Sequence, residues 1–326
     1  MPELRYVDAL RQALELELAA DPRVLLLGED VAVGGPFGVT AGLAEQFGAN
    51  RVINTPISED TIMGIAVGAA VAGKRPVVEI MFIDFVTLAM SQLVNHAAKL
   101  RYMSGGQISV PMVVRLQQGA VGGWGAQHSQ SLEAWFLHVP GLKMVAAASA
   151  QDASGLLRAA IRDDDPVLFL EHRGLYHRRE TVPGDGEAGA VACLGRAKVV
   201  RPGRDVTIIT YSRMVWEALE AADELEAQGI SAEVIDLRTL APLDMETVVT
   251  SVRRTGHALI AHEAVLQGGL GAEMAARIQE AAFDWLDAPV GRVGAPFAPV
   301  PASLRLEESF VPGRRSILAE VGRILG

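Results

Sequence analysis

Glu59 is the residue whose type and position most directly indicate chemistry in this sequence. It ends the run Asn54-Thr-Pro-Ile-Ser-Glu59 and is followed at once by a small, apolar helical pattern over residues 62–73. A carboxyl group at the mouth of such a helix lies beside backbone, where its pKa can be tuned and its hydrogen-bond partner fixed. A second interpretation also fits, in which Ser58 caps the helix and Glu59 and Asp60 favour the helix dipole. The run alone leaves both interpretations open.

His128 is the second candidate for chemistry. It lies in the segment Ala126-Gln-His-Ser-Gln130, directly after a predicted glycine-rich loop, Gln117 to Gly125. A histidine on a loop can act as an acid, a base or an oxyanion donor, although a surface or helix-entry role also fits this position. The pair His262-Glu263 ends a strand pattern, and we expect it to have an exposed or interface role. No spacing of the seven histidines resembles a zinc site.

Two glycine-containing motifs resemble phosphate sites without completing them. The run Gly68-Ala-Ala-Val-Ala-Gly73-Lys74 is followed by Arg75, where a phosphate-binding loop has Ser or Thr. Gly64, Gly68 and Ala72 recur every four residues and so share one helix face, which favours close packing against another helix. Gly184-Asp-Gly186 resembles the opening of a magnesium–diphosphate motif. That motif closes with a downstream asparagine, and all the asparagines of this chain lie upstream, at positions 50, 54 and 95.

These residues must be positioned by a chain in which helical and strand patterns alternate. In the first half we predict helices over 7–20, 62–73, 84–102 and 151–162, and strands over 24–28, 76–82, 111–115, 142–146 and 166–170. After a linker at 175–204 we predict strands over 206–211, 232–237 and 257–262, and helices over 214–228, 245–254, 274–282 and 316–325. Apolar strands between amphipathic helices indicate parallel sheets covered on both faces. The predicted fold class is α/β with two doubly wound domains, 1–174 and 205–326.

Composition narrows the class of protein. The chain has 326 residues, 50% of them hydrophobic, which is enough for two ordinary domains. The net charge of −10 without a basic stripe argues against a nucleic-acid partner. Cys193 is the only cysteine, so neither a disulfide framework nor a cysteine metal site is expected. The N-terminus lacks a signal-peptide pattern and the longest apolar run is too short to span a bilayer, so we expect a soluble, cytoplasmic protein.

Taken together, the segments closely resemble the beta subunit of the decarboxylating component of 2-oxoacid dehydrogenase complexes. The matching runs are Gly28-Glu-Asp-Val31, Asn54-Thr-Pro-Ile-Ser-Glu59, Gly64-Ile-Ala-Val-Gly-Ala-Ala70, Asp84-Phe85, Asn95 with Ala97-Ala-Lys99, Tyr102-Met-Ser-Gly-Gly106, Gln127-His-Ser-Gln130, Pro140-Gly-Leu-Lys143, Ala160-Ile-Arg-Asp-Asp-Asp-Pro166 and Glu233-Val-Ile-Asp-Leu-Arg238. They cover nearly the whole chain. The tail from Pro289 onward departs most from the pattern of the family.

The resemblance implies a pyrimidine-binding domain followed by a transketolase-type C-terminal domain. It also implies that an alpha subunit holds magnesium and the diphosphate of thiamine diphosphate, while this chain grips the aminopyrimidine. The active site would then lie between two different chains of an α2β2 heterotetramer, which explains the incomplete diphosphate motif.

The resemblance also assigns roles to individual residues. Glu59 matches the glutamate that hydrogen-bonds the pyrimidine ring nitrogen, and Phe85 matches the aromatic residue that packs on the pyrimidine face. Glu29 and Ile57 match residues lining that pocket. His128 matches an active-site histidine linked to stabilising the intermediate or to passing the acyl group to lipoamide. A structural potassium site is implied at five positions, Met112, Ala160, Ile161, Asp163 and Asp165, the last of which is commonly Asn in relatives.

The resemblance implies that the chain takes part in the decarboxylation of a 2-oxo acid, pyruvate or branched-chain, and in reductive acylation of lipoamide on a dihydrolipoyl acyltransferase core. An acetoin dehydrogenase subunit is the nearest alternative, and the runs 127–130 and 160–166 look most like the pyruvate and acetoin types. A self-sufficient transketolase-like homodimer is disfavoured by the missing magnesium motif. A non-catalytic assembly subunit is disfavoured by the presence of Glu59, Phe85 and His128.

Overall fold

The computed structural model describes residues 3–182 and 191–326, so the motif Gly184-Asp-Gly186 lies outside the described residues. The described chain divides into two compact units. The first runs to Gln118 and resumes from Phe136 to Leu194, and the second comprises 119–135 together with the chain from Gly195 onward. The division at residue 194 falls within the predicted linker, whereas the grouping of 119–135 with the second unit had no counterpart among the sequence-based predictions. The predicted domain boundaries 174 and 205 stay predictions.

The first unit is built on a parallel sheet with the strand order β6-β7-β5-β4-β2-β3. Its strands are β1 Glu3–Arg5, β2 Val24–Gly28, β3 Val52–Asn54, β4 Arg75–Ile80, β5 Val113–Gln118, β6 Lys143–Ala146, β7 Val167–His172 and β8 Arg179–Thr181, of which β1 and β8 pair separately. Its helices are α1 Tyr6–Ala20, α2 Leu43–Phe47, α3 Glu59–Val71, α4 Leu100–Met103 and α6 Ala150–Arg162, and α5 Glu133–Leu137 spans the return from 119–135. The apolar runs of the central strands are buried, as a sheet covered on both faces requires.

The predicted continuous helix over 84–102 is wrong. The chain forms a 3₁₀ helix at Ile83–Ala89, a π-helical turn at Gln92–Ala97 and only then α4. The physical reason lies in the spacing of the buried residues. Residues 83, 86 and 89 recur every three positions, and residues 89, 93 and 97 every four. A three-residue period matches the 3₁₀ repeat of Ile83–Ala89, and the spacing changes to four residues where the π-helical turn follows.

The second unit repeats the α/β architecture with the strand order β14-β13-β10-β11-β9, in which only β9 is antiparallel to its neighbour. The strands are β9 Lys198–Arg201, β10 Val206–Thr210, β11 Ala232–Asp236, β12 Thr239–Ala241, β13 Ala258–Val265 and β14 Gly291–Ala295. The helices are α7 Met214–Ala227, α8 Met245–Thr255, α9 Leu270–Ala282, α10 Leu304–Phe310 and α11 Arg314–Leu325.

Strand β10 shows that helices cover both faces of the second sheet. Val206 and Ile208 belong to the apolar core formed with α7 and α11. Between them, Thr207 points to the opposite face, where its hydroxyl lies 2.8 Å from that of Thr255 in α8. The predicted α/β fold class with two doubly wound parts is therefore confirmed. Across the two described ranges, no helix is both long enough and apolar enough to cross a membrane.

Candidate functional site

The candidate residues of the first unit collect at the carboxyl edge of its sheet. Glu29 follows β2, the run ending in Glu59 follows β3, and Phe85 lies shortly after β4. These three strands are neighbours, with β2 between the other two. The carboxyl ends of adjacent parallel strands are where open α/β sheets bind ligands. The sheet order thus brings together residues that are far apart in the sequence.

Glu59 is the first residue of α3. Ser58 occupies the N-cap position, but its side chain makes no capping hydrogen bond to the backbone and instead donates to the Thr61 hydroxyl at 2.8 Å. The carboxylate of Glu59 is partly buried and, within the described residues, has no side-chain hydrogen bond or ion pair. A carboxylate at a helix N-terminus without a protein partner is available to a ligand that can share a proton with it.

Glu29 lies close enough to Glu59 for their charges to interact. Partial burial raises the pKa of Glu29, and the neighbouring carboxylates of Asp30 and Glu59 raise it further. Ile57, which the resemblance assigns to the same pocket, is 72% exposed in this chain taken alone. An apolar side chain this exposed at the edge of a site is available to pack against a ligand or a second chain.

Phe85 is held by a second aromatic residue. Its ring meets that of Phe82 edge to face, with 5.6 Å between the centroids. Phe82 in turn contacts the ring of Phe37 at 6.0 Å, and the guanidinium carbon of Arg173 lies 5.2 Å from the Phe82 centroid. Edge-to-face pairs and cation–π contacts fix ring orientation. Phe85 is therefore supported from behind, as a residue that stacks on a planar ring needs to be.

A buried charge network beneath this edge was not found by sequence reasoning. The Arg115 side chain is fully buried, donates to both carboxylate oxygens of Glu171 at 2.6 and 2.8 Å, and also pairs with Glu79. The Tyr176 hydroxyl donates to Glu171 at 2.7 Å. Burial lowers the pKa of Arg115, but the two carboxylates outweigh it and hold that pKa above its ordinary value. The network ties β4, β5 and β7 together behind the candidate residues.

His128 belongs to the second unit, unlike the other candidate site residues, which lie in the first. Its segment follows β5, which extends to Gln118, so the glycine-rich loop begins at Gly119 and not at the predicted Gln117. The rings of His128 and Trp124 are tilted at 42° with 6.4 Å between centroids. A partly buried imidazole on a loop of this kind can donate or accept a proton at either ring nitrogen.

The predicted exposed role of His262-Glu263 is wrong for the histidine. His262 is fully buried, and its Nδ1 lies 3.1 Å from the carbonyl oxygen of Ala264. Burial lowers its pKa to about 4, and the charge of Arg292 acts in the same direction, so the ring is neutral at pH 7. Three glycines, at 269, 271 and 294, make room for this ring, because an added Cβ at each would lie within about 3 Å of it. The sequence signal for burial was this set of glycines around the strand.

Two of the five positions of the implied potassium site, Asp163 and Asp165, belong to a charged cluster. Arg75 donates from Nη1 to the carbonyl oxygens of Ile161 and Asp163, at 3.1 and 2.8 Å. Lys143 Nζ lies 2.7 Å from the Asp163 carboxylate and 3.1 Å from that of Asp165, which also pairs with Arg101 at 2.5 Å. The carbonyls of Ala160 and Met112 accept backbone amides, from Asp163 at 3.2 Å and Val167 at 2.9 Å respectively. A carbonyl oxygen has two lone pairs, so each of these four could also bind a cation.

Comparison with known proteins agrees with this architecture. The family model described as the transketolase pyrimidine binding domain matches residues 3–179, and the transketolase C-terminal domain model matches residues 195–317. Among solved structures, a chain titled split gene transketolase, inactive beta4 tetramer, is similar with a TM-score of 0.78 at 27% identity, over 97% of each chain.

Relatives that match nearly all of this chain identify its family more closely. The pyruvate dehydrogenase E1 component subunit beta-2 of Oryza sativa is 48% identical over 95% of this chain and 83% of its own. The subunit beta of the same component from Rhizobium meliloti is 44% identical over 98% of this chain and 70% of its own. The chain belongs to the transketolase-like family of beta subunits of the decarboxylating first component of 2-oxoacid dehydrogenase complexes.

Proposed function

We propose that this chain is the beta subunit of a thiamine diphosphate-dependent 2-oxoacid dehydrogenase, with pyruvate as the favoured substrate. One observation carries the proposal: the Glu59 side chain is a partly buried carboxylate with no hydrogen bond or ion pair within the described residues, at the sheet edge that also presents Glu29 and Phe85. The printed names of the relatives support pyruvate over a branched-chain acid or acetoin.

Within that proposal, thiamine diphosphate supplies the carbon nucleophile that attacks the 2-oxo group. Glu59 shares a proton with the pyrimidine ring nitrogen, so that its carboxylate acts in acid–base chemistry at that atom. Phe85 supports the pyrimidine face, while Ile57 and Glu29 line its edge. The raised pKa of Glu29 reflects its partial burial and the neighbouring negative charges of Asp30 and Glu59.

The proposal includes two partners. An alpha subunit supplies magnesium and the diphosphate site, in an α2β2 heterotetramer, and a dihydrolipoyl acyltransferase core receives the acyl group, with His128 serving that transfer. The face of α3 supports a subunit contact, because an added Cβ at Gly68 would meet nothing within 4 Å and Ile65 is 56% exposed. We also propose that the protein works in the cytoplasm. The rice relative is named mitochondrial.

Pairing with the alpha subunit is the experiment that tests the proposed function. Purified alone, this chain should bind thiamine diphosphate weakly and show no decarboxylation of pyruvate, because its sequence has no asparagine after residue 95 to close a magnesium–diphosphate motif. Adding the alpha subunit should restore both binding, followed by calorimetry, and turnover with an artificial electron acceptor. Alpha subunit alone is the matched control. Robust turnover by the isolated chain would favour the transketolase-like homodimer instead.

We propose that K⁺ binds at the backbone carbonyls of Met112, Ala160, Ile161, Asp163 and Asp165. Three carboxylates at 163–165 are opposed by the three cationic side chains of Arg75, Arg101 and Lys143, so a bound cation would not meet an uncompensated positive field. The assembled enzyme should therefore melt roughly 2–4 °C higher in KCl than in NaCl of equal ionic strength, the shift expected for about 1 kcal/mol of selective binding. Equal midpoints would contradict selective K⁺ binding at these carbonyls, two of which already accept hydrogen bonds from Arg75.

A further inference from the structure

Two carboxylates hold the glycine-rich loop that precedes His128, and both belong to the same unit as the loop. The backbone N–H of Ala120 donates to Glu263 Oε1 at 2.7 Å, and that of Gly123 donates to Glu307 Oε2 at 2.9 Å. The side chain of Glu263 is 10% exposed, and Glu307 is 5% exposed. Backbone amides bound to buried carboxylates make charge-assisted hydrogen bonds, which are stronger than neutral ones.

Glycine dominates the loop that precedes His128. Gly119, Gly122, Gly123 and Gly125 all have positive φ angles. Its own backbone contacts are long, with Gly119 N to Gln130 O and His128 N to Gly125 O both at 3.4 Å. Glycines lose more conformational entropy on ordering than other residues, so a loop of this composition needs outside contacts to stay in one conformation.

The two carboxylates are held differently. Glu263 accepts a hydrogen bond from Arg213 Nε at 2.8 Å through its second oxygen, and Arg213 also pairs with Glu217 at 2.7 Å and donates to the Pro312 carbonyl at 3.1 Å. Glu307 lies in the first turn of α10, and its Oε1 is a buried atom without a hydrogen-bond partner in the described chain. Glu263 therefore needs both oxygens as acceptors, whereas Glu307 uses only one.

We propose that Glu263 and Glu307 are positioning residues, which hold the loop so that His128 is presented for acyl transfer. The inference rests on the proposed function for the role of His128, but the attachment of the loop is a property of this chain alone. Loss of either carboxylate frees the loop amides and displaces His128, and leaves the residues at the other candidate site untouched.

Glu263 accepts hydrogen bonds through both oxygens and Glu307 through one, and this difference decides which substitutions test the proposal. In Glu307→Gln the amide oxygen can still accept from Gly123 and the amide nitrogen replaces the unpartnered Oε1, so this variant should behave like the wild type. Glu307→Ala removes the acceptor. In Glu263→Gln an NH₂ group replaces one oxygen and faces either the Ala120 N–H or Arg213, both of which are donors. This variant should therefore lose one of the two hydrogen bonds that hold the loop, although the side chain keeps its size. Glu308→Ala, on the exposed neighbour of Glu307, is the matched control.

Each variant is assembled with the alpha subunit and compared in two measurements. Hydrogen–deuterium exchange of the peptide containing Ala120 and Gly123 should become about tenfold faster in Glu263→Gln and Glu307→Ala, but not in Glu307→Gln or Glu308→Ala. Reductive acylation of a lipoyl domain should fall about tenfold in the same two variants, the equivalent of one hydrogen bond to a charged group. Decarboxylation with an artificial acceptor should stay within about twofold.

Combination with His128→Ala separates positioning from a general structural effect. If the carboxylates act through His128, adding Glu263→Gln or Glu307→Ala to His128→Ala should cause no further loss of acylation. An additive loss would overturn the positioning role, and unchanged exchange in both single variants would overturn the attachment itself. A silent His128→Ala with fast-exchanging single variants would instead contradict the proposed function of His128. Should Glu307→Ala fail to assemble, Glu263→Gln carries the same comparison.

Discussion

Glu59→Gln should assemble with the alpha subunit as the wild type does and lose roughly 10²-fold or more in turnover, the scale of acid–base catalysis. Glutamine keeps the size of the side chain and its capacity to hydrogen-bond, but it cannot share a proton with a ring nitrogen. Because the Glu59 side chain makes no hydrogen bond or ion pair within the described residues, its replacement removes no such bond from this chain. The loss is therefore expected in kcat of decarboxylation, measured with an artificial electron acceptor, and not in the melting temperature.

Asp60→Asn is the matched control for Glu59→Gln. Asp60 is the next residue of the same helical turn, is exposed, and has the same favourable position relative to the helix dipole. If negative charge at the helix start is all that matters, the two variants should show similarly small effects on stability and none on turnover. Near-normal turnover of Glu59→Gln in the assembled enzyme would indicate that Glu59 only places a favourable negative charge at the start of the helix.

Most strands could be predicted from the sequence because each is an apolar run followed by residues that favour a turn or a loop. Val24 to Gly28 and Val206 to Thr210 lie where the patterns put them. Predictions failed where the structure departs from one repeat, as in the segment from Ile83 to Ala97. No element was predicted in the proline-rich part of the tail, where β14 contains two glycines and an arginine in place of an apolar run and α10 has only seven residues. Local spacing identifies long regular elements and carries little information on short ones.

The residues of the candidate site also differ in how far the sequence alone could identify them. Glu59 and His128 could be identified as candidates because their residue type and local sequence context were sufficient. The Arg115 network had a weak signal, since Glu79, Arg115 and Glu171 each follow a run of apolar residues within a strand. Burial of such residues requires partners, so three of them in neighbouring strands form one network. That step depends on the strand order, which a single sequence does not contain.

The attachment of the loop could not be predicted at all. Ala120 and Glu263 are separated by 143 positions, and Gly123 and Glu307 by 184. No periodic pattern joins a backbone amide in a glycine loop to a carboxylate at that distance, because backbone donors are the same in every residue. The sequence indicated a glycine-rich loop before His128, whereas the fold provides two largely buried carboxylates that accept hydrogen bonds from it.

His128→Ala is expected to separate two half-reactions of the assembled enzyme. If His128 serves acyl transfer, decarboxylation measured with an artificial electron acceptor should be partly retained. Reductive acylation of a lipoyl domain should fall on the roughly 10²-fold scale of a lost acid–base or electrostatic group. The reason is the location of the His128 ring. The ring is partly buried and follows a glycine-rich loop whose backbone is held at Ala120 and Gly123.

Both rates should be measured on one preparation of His128→Ala, with the exposed His138→Ala as the matched control. A ring whose only function is to pack against Trp124 would be replaced by any side chain of similar shape, so His128→Gln separates packing from proton transfer. Restored acylation in His128→Gln would indicate packing or a neutral hydrogen bond. Equal losses of both rates in His128→Ala would place the residue at a step that the half-reactions share. Unchanged rates in both would make it a structural residue of the loop, because a proton donor or acceptor in acyl transfer cannot be removed without cost to that transfer.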